Sequence, residues 1–198
     1  MEHLNRSLFL LINAGQNAPS DLVALARLFA QYLIWIVPAG LLAGWLRGSN
    51  RMRQTLLTAA VAGLTGLLVN QVIGLAWYHP RPFAVGIGRT LLAHAADSSF
   101  PSDHLTLLWA VAISLIARQT TCRAGWALAA MGLPLAWARV YLGLHWPLDM
   151  IGAACVAFGS AWFVRRQERR LIAPAMPLLL SVYRRLCSGP IRSGWVRQ

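Results

Sequence analysis

The chain predicts an all-α membrane bundle of about five transmembrane helices, and three observations carry that expectation. Its 198 residues are 57% hydrophobic and 12% charged, whereas an ordinary soluble domain is about one-quarter charged. The apolar residues gather in five runs, at 28–46, 56–77, 105–117, 125–141 and 147–164. Most of these come near the roughly 20 residues that cross a bilayer as a helix. All 18 basic residues are arginine, and they cluster in short turns between the runs.

In chain order, residues 1–20 hold one small amphipathic patch (Leu4, Leu8, Phe9, Leu11, Ile12) suited to the membrane interface. Leu8 to Ile12 is too short for a cleavable signal. Leu28 to Leu46 is the first span, with Arg27 placed to snorkel outward. A polar turn with Arg47, Arg51 and Arg53 leads into the second span, Leu56 to Trp77, which carries Asn70 and Gln71 near its far end. Residues 78–101 form a linker far longer than most loops, which itself hints at function. The third run reaches spanning length only if Ser102, Asp103 and His104 join the helix. Pro101 before Ser102 reads as a helix start, with the Ser102 hydroxyl at the N-cap and Asp103 in the first turn. Gly125 to Tyr141 and Pro147 to Val164 are the last spans, with Pro147 at a first-turn position. Arg165 to Arg170 stops transfer. A basic tail, 171–198, follows; its Leu/Met/Pro run is short and broken by proline. Trp45, Trp77, Trp137 and Trp146 near span ends fit interfacial belts. The whole chain, 1–198, reads as one membrane domain.

Arginine bias sets the orientation. The turns at 47–53 and 118–123 and the tail after 164 hold 13 of the 18 arginines, which places them and the C-terminus in the cytoplasm. The N-terminus, the 78–104 segment and the 139–149 segment then share the outer face. Four of the five histidines and three of the six acidic residues lie in those two segments. The net charge of +12 is spread over turns rather than one soluble face, which argues against a nucleic-acid partner. Cys122, Cys155 and Cys187 have no paired spacing, so neither a disulfide framework nor a zinc site is indicated.

Three stretches carry chemistry. In His79-Pro80-Arg81-Pro82-Phe83, the prolines hold the backbone extended and can aim the Arg81 guanidinium at phosphate oxygens. The stretch from His94 through Asp97, Ser98, Ser99, Pro101, Ser102 and Asp103 to His104 offers a helix start whose free N–H groups suit an anion. His104 adds a titratable imidazole there. His94, Asp97 and Ser99 either order the loop or join the site. In Arg139-Val-Tyr-Leu-Gly143-Leu-His145-Trp-Pro147-Leu-Asp149, the four-residue separation lets the Asp149 carboxylate accept from one ring nitrogen of His145, leaving the other as a nucleophile. Arg139 within a span is costly unless it faces a polar cavity. Asp103, His104, His145 and Asp149 could form a mixed metal site, but Arg81 and Arg139 beside them favour an anion instead.

Taken together, Arg81-Pro82, Pro101-Ser102-Asp103-His104 and Arg139-x5-His145-x3-Asp149 resemble the type 2 phosphatidic acid phosphatase superfamily. Within it, HPRPF, HAADSSFPSDH and RVYLGLHWPLDM look like the bacitracin-resistance type of undecaprenyl diphosphate phosphatase. The resemblance implies hydrolysis of a polyprenyl diphosphate lipid at the periplasmic face of a bacterial inner membrane, with no cofactor and no metal. It implies His145 as nucleophile oriented by Asp149, and His104 as acid and then base. Arg81, Arg139 and the amides near Ser102 and Asp103 would hold the phosphoryl oxygens. Three positions depart from the family pattern. Gly74 stands at the family lysine, with Arg89 or His79 as candidate replacements for its charge. Asp103 replaces a glycine, and its carboxylate is expected to turn away from the anion or pair with an arginine. Ala138 replaces a serine. The alternatives are another lipid phosphatase or phosphotransferase (on phosphatidylglycerophosphate, phosphatidate or lipid A) and a non-catalytic lipid-binding protein.

Overall fold

A computed structural model describes residues 2–197, and its regular elements are all helical. Helix α1 (Glu2–Ile12) is followed by α2 (Ser20–Tyr32), a 3-10 turn (Leu33–Trp35) and α3 (Ile36–Arg47), then α4 (Asn50–Ala76). After the long linker come α5 (Asp103–Ile116), α6 (Cys122–Tyr141) and α7 (Pro147–Arg166). Three short helices close the chain: α8 (Glu168–Leu171), α9 (Ala175–Leu186) and α10 (Ser188–Arg192).

Helix α5 is the axis of the bundle. It packs against α4, α6 and α7, and α4 also packs against α7. Leu105, Leu108, Val111 and Leu115 of α5 join Leu56 and Ala59 of α4, Leu135 of α6 and Met150 and Ala153 of α7 in one core. Small residues permit the close approach, as is usual between helices in lipid. A Cβ on Gly63 would lie 2.6 Å from Leu107 Cδ1, and one on Gly66 would lie 2.7 Å from Thr106 Cγ2.

Among the described residues, three segments are long and apolar enough to cross a bilayer: Ser20–Arg47, Asn50–Ala76 and Pro147–Arg166. The other two expected spans fall short of that measure for different reasons. Helix α5 has 14 residues, about 21 Å at 1.5 Å per residue, and begins below the C-terminal end of α4. Asn70 Nδ2 donates to Asp103 Oδ1 at 2.8 Å, which levels the start of α5 with residue 70. That position is six residues, about 9 Å, below the C-terminal end of α4 at Ala76. The recess above α5 is roofed by the 78–101 linker. Helix α6 carries Arg139 and a proline, Pro134, within its length, and Arg139 is turned inward.

Several expectations are corrected. The first helical crossing begins at Ser20 rather than Leu28, directly after Pro19, whose backbone is still extended (φ −58°, ψ 133°). Arg27 does not snorkel: its Nε and Nη2 donate to the Leu91 carbonyl at 3.1 and 2.9 Å and tie the linker to α2. Ser102 sits at the N-cap position, but its hydroxyl makes no capping bond. Trp146 is buried, and its Nε1 donates to the Pro80 carbonyl at 2.9 Å, so it belongs to the core rather than a belt. Asn5 is also buried and accepts from the Leu148 N–H at 3.0 Å, docking α1 on the first turn of α7.

In the tail, α9 has 12 residues, about 18 Å, too little to cross. It lies against the bundle through Met176, which joins Ile172, Ala62, Ala161 and Val164. Arg53 is fully buried and anchors the chain end. It donates to the carbonyls of Trp45 and Arg197 at 3.0 and 2.6 Å, and its guanidinium lies 4.3 Å from the Tyr183 ring.

The helix contacts set a stability expectation. Gly66→Leu should lower the thermal midpoint in detergent, with overpacking costing about 1–3 kcal/mol. An unchanged midpoint would show that α4 and α5 can part at Thr106 without cost.

Candidate active site

The linker between α4 and α5 supplies the first arginine. Pro80 and Pro82 flank Arg81, and the 3-10 turn Pro82–Val85 ends at Gly86 with φ +68°. This turns the following chain back over the bundle. Arg81 is buried and splits its donors among four groups. Nε meets Asp97 Oδ1 at 2.8 Å, Nη1 donates to the Leu144 carbonyl at 2.9 Å, and Nη2 reaches the Ser98 carbonyl at 3.4 Å. Nη1 also lies 3.1 Å from His145 Nε2.

The last turn of α6 supplies the second. Arg139 Nη2 lies 3.3 Å from His145 Nε2 and 3.2 Å from His94 Nε2. Immediately after α6 the chain reverses at Gly143, φ +79°, where a Cβ would lie 2.3 Å from the Arg89 carbonyl oxygen. Only glycine fits that turn, and it delivers His145 to the two arginines.

His145 is buried. Its Nδ1 is 2.9 Å from the Ser99 carbonyl and 3.2 Å from Asp149 Oδ2. Both partners accept, so the ring proton is assigned to Nδ1. Nε2 then carries the lone pair, and it accepts from the two guanidinium groups. Burial first, then the charges of Arg139 and Arg81, push the His145 pKa well below the ordinary imidazole value of 6.5. Asp149 Oδ2 also accepts from the Ser99 hydroxyl and from the Trp146 N–H at 2.8 Å. The carboxylate therefore caps α7 and braces His145 at once. Its Oδ1, Ser102 Oγ and Arg139 Nε are buried without a hydrogen-bond partner among the described residues.

His104, in the first turn of α5, lies close enough to Arg139, His145, His94 and Arg81 to feel their charges. It makes no hydrogen bond to another described side chain, which leaves the ring available to a ligand. Asp103 beside it is hydrogen-bonded to two amides of α4 rather than to an arginine. Its Oδ1 accepts from Asn70 and its Oδ2 from Gln71 Nε2 at 3.4 Å. Only its place at the free end of α5 relates it to an anion; its side chain does not face one.

Thus His145, Asp149, Arg81, Arg139, Ser99, His94, Asp97, Ser102 and His104 converge. Arg89 does not. It is exposed, donates Nη1 to the carbonyls of Gly15 and Gln16 at 3.0 and 3.1 Å, and holds the N-terminal loop. Those carbonyls satisfy the guanidinium more cheaply than a site already holding two cations, so Arg89 is no substitute for the family lysine. The His79 ring packs beside Trp77 and Trp146, with centroids 5.3 and 6.5 Å away, and makes no hydrogen bond to the cluster. Sequence reasoning passed over Asn70 and Gln71 as site supports. The signal was present: two adjacent amides at the end of an otherwise apolar span need partners. The Leu144 carbonyl left no signal at all, because a backbone oxygen has none. No group of three or more His, Cys, Asp or Glu side chains among the described residues is arranged to hold a metal.

The family model described as the PAP2 superfamily matches residues 53–173, the stretch that contains every converging side chain. The chain belongs to the PAP2 superfamily. Relatives of this PAP2 chain cover most or all of its length. YbjG of Escherichia coli (strain K12), provisionally named an undecaprenyl-diphosphatase, is 38% identical over 100% of this chain and 99% of its own. The undecaprenyl-diphosphatase BcrC of Bacillus subtilis (strain 168) is 33% identical over 91% of this chain and 92% of its own. The crystal structure of Aquifex aeolicus LpxE superposes with a TM-score of 0.68 at 20% identity, covering 82% of this chain and 95% of that one; it shares the fold.

The buried neutral imidazole has a consequence for stability. Below pH 6.5 the unfolded chain takes up a proton that native His145 refuses, so the native state is lost progressively as pH falls. The dependence is at most about 1.4 kcal/mol per pH unit for one such group. His145→Gln should flatten the fall in thermal midpoint between pH 6.5 and 5, and equal slopes in the two proteins would contradict a neutral His145.

Proposed function

We propose that this PAP2 protein hydrolyses undecaprenyl diphosphate to undecaprenyl phosphate and inorganic phosphate through a phosphohistidine. The observation that carries the reading is His145. Its Nδ1 proton is held by Ser99 and Asp149, and its Nε2 lone pair faces two guanidinium groups. A terminal phosphate entering the recess takes the Arg81 and Arg139 donors onto its oxygens, which uncovers Nε2 for attack.

In the first step a bond forms from Nε2 to the terminal phosphorus, and the bond from phosphorus to the bridging oxygen breaks. His104 delivers a proton to the departing lipid phosphate. Asp149 stabilises the imidazolium-like ring through Nδ1. In the second step His104 accepts a proton from water, the water oxygen attacks phosphorus, and the bond to Nε2 breaks. Inorganic phosphate leaves and His145 is restored. The positive charge of Arg81 and Arg139 offsets the charge that builds on the phosphoryl oxygens in both transition states. The names of the two relatives support the lipid diphosphate as substrate.

Arginine bias supports a site open to the periplasm, with the C-terminus in the cytoplasm of a bacterial inner membrane. The recess above α5 lies at the end of the bundle opposite the arginine-rich turns, as that orientation requires. A polyprenyl chain can stay in the bilayer while its diphosphate enters from the interface.

Phosphate release by purified protein over undecaprenyl diphosphate, phosphatidate and phosphatidylglycerophosphate tests the substrate. The diphosphate should be turned over fastest, and activity should survive excess EDTA. His145→Ala should reduce release to background while keeping the thermal midpoint within a few degrees. Rapid quenching with substrate labelled in the terminal phosphate should leave acid-labile label on the wild type and none on His145→Ala. Turnover without any trapped label would point to direct attack by water.

A further inference from the structure

His94 and Asp97 stand outside the two-histidine reaction just described, yet they are part of the same cluster. Arg139 Nη2 lies between His94 Nε2, at 3.2 Å, and His145 Nε2, at 3.3 Å. The two imidazoles thus present their Nε2 atoms to one guanidinium nitrogen, with ring centroids 6.5 Å apart and planes at 72°. One tetrahedral phosphoryl group placed for attack by His145 is near enough to touch both. On the far side of its ring, His94 Nδ1 is 3.2 Å from the Ala95 carbonyl and 3.9 Å from Asp97 Oδ1. Asp97 in turn holds Arg81 Nε at 2.8 Å. The carboxylate that bonds the first arginine therefore also lies within ion-pair range of the ring once His94 is protonated, while the second arginine meets the ring directly.

The loop is placed by Gly74. A Cβ there would lie 3.3 Å from Ser98 Cβ, so a longer side chain would push Ser98 outward. Ser98 accepts from the His79 N–H at 3.2 Å and its carbonyl meets Arg81, so displacing it would shift the whole His94–Ser99 loop.

We propose that His94, backed by Asp97, is a substrate-binding residue that donates through Nε2 to an oxygen of the terminal phosphate of the lipid diphosphate. This rests on the function proposed above and deepens it. In the empty site Nε2 accepts from Arg139, and the ring is neutral. When the phosphate enters, Arg139 Nη2 turns to a phosphoryl oxygen, and His94 takes one proton from solvent onto Nε2. The groups that face it set the balance of this uptake. Burial, Arg81 from the linker and Arg139 from α6 oppose the added charge; the Ala95 carbonyl, Asp97 and the incoming phosphate favour it, while the facing His145 is neutral. The site then holds its anion with three cations, one of which is present only when the anion is.

The test compares wild type, His94→Ala and His94→Lys, with inorganic phosphate and orthovanadate as competitive inhibitors and undecaprenyl diphosphate as substrate. His94→Ala should weaken phosphate and vanadate inhibition and raise KM by about 10- to 100-fold, the worth of a hydrogen bond to a charged group. Its kcat should fall much less, because the nucleophile and the acid are intact. His94→Lys should restore inhibition. Titration calorimetry of phosphate in buffers of different ionisation enthalpy should show proton uptake for wild type, reduced by about one proton in His94→Lys. Unchanged inhibition constants and KM in His94→Ala would overturn the role, as would an equal loss in kcat with KM unmoved. A wild type that turns over no lipid diphosphate and binds no phosphate would defeat the proposed function itself, an outcome distinct from either.

Discussion

The candidate site depends on holding two guanidinium groups against one imidazole nitrogen at one end of a membrane bundle. Like charges at this range repel, and burial sharpens the repulsion. The structure offsets it with oxygens rather than with many counter-charges. The carbonyls of Leu144 and Ser98 and the carboxylate of Asp97 take three donors of Arg81. Arg139 has fewer partners, and its buried Nε has none among the described residues. Such an arrangement is under-neutralised while empty and relaxes when an anion enters. The constraint explains why acidic side chains are so few here and why Asp103 is drawn off by Asn70 and Gln71. A carboxylate aimed into the recess would satisfy the arginines permanently and exclude a phosphate.

The scaffold serves that arrangement through length and shape. Helix α5 stops below the level of α4, which opens the recess without breaking the bundle. The 78–101 linker closes it from above and contributes Arg81, His94, Asp97 and Ser99. Because the linker is irregular, its backbone groups need partners, and they find them in the site: Ser99 O on His145, Ser98 O on Arg81, and Leu91 O on Arg27. The same contacts that pay for an unstructured segment also aim its side chains. Asp149 joins the two halves, since one of its oxygens caps α7, accepts from Ser99 and braces His145.

The fold was largely legible in the residues because its signals are local. Run length, arginine clusters and the prolines at 101 and 147 place α5 to α7 within three residues of their observed ends, while α4 starts at Asn50, six residues before the expected Leu56. The miss at the first span has a local cause too: Ser20, Asp21 and Arg27 dilute the hydropathy of a segment that is nevertheless helical from Ser20. In the site, His145 and Asp149 share a turn, so four residues of spacing already implied their contact. Arg27, Arg89 and Trp146 were misread because the partners that claim them, the carbonyls of Leu91, Gly15, Gln16 and Pro80, lie on other segments.

The sequence alone determined the class of structure and the chemical types at the site, because hydrophobic run length and the His-x3-Asp, Arg-Pro and Pro-Ser-x-His patterns act over a few residues. Only the tertiary structure decided which nitrogen of His145 is free, which arginines face it, where Asp103 points and that His94 shares the Arg139 guanidinium. Most of those are matters of distances between residues far apart in the chain, 33 positions for Asn70 and Asp103, 45 for His94 and Arg139 and 64 for Arg81 and His145. Backbone carbonyls settle several of them, and a carbonyl is common to every residue, so no pattern of side chains announces it.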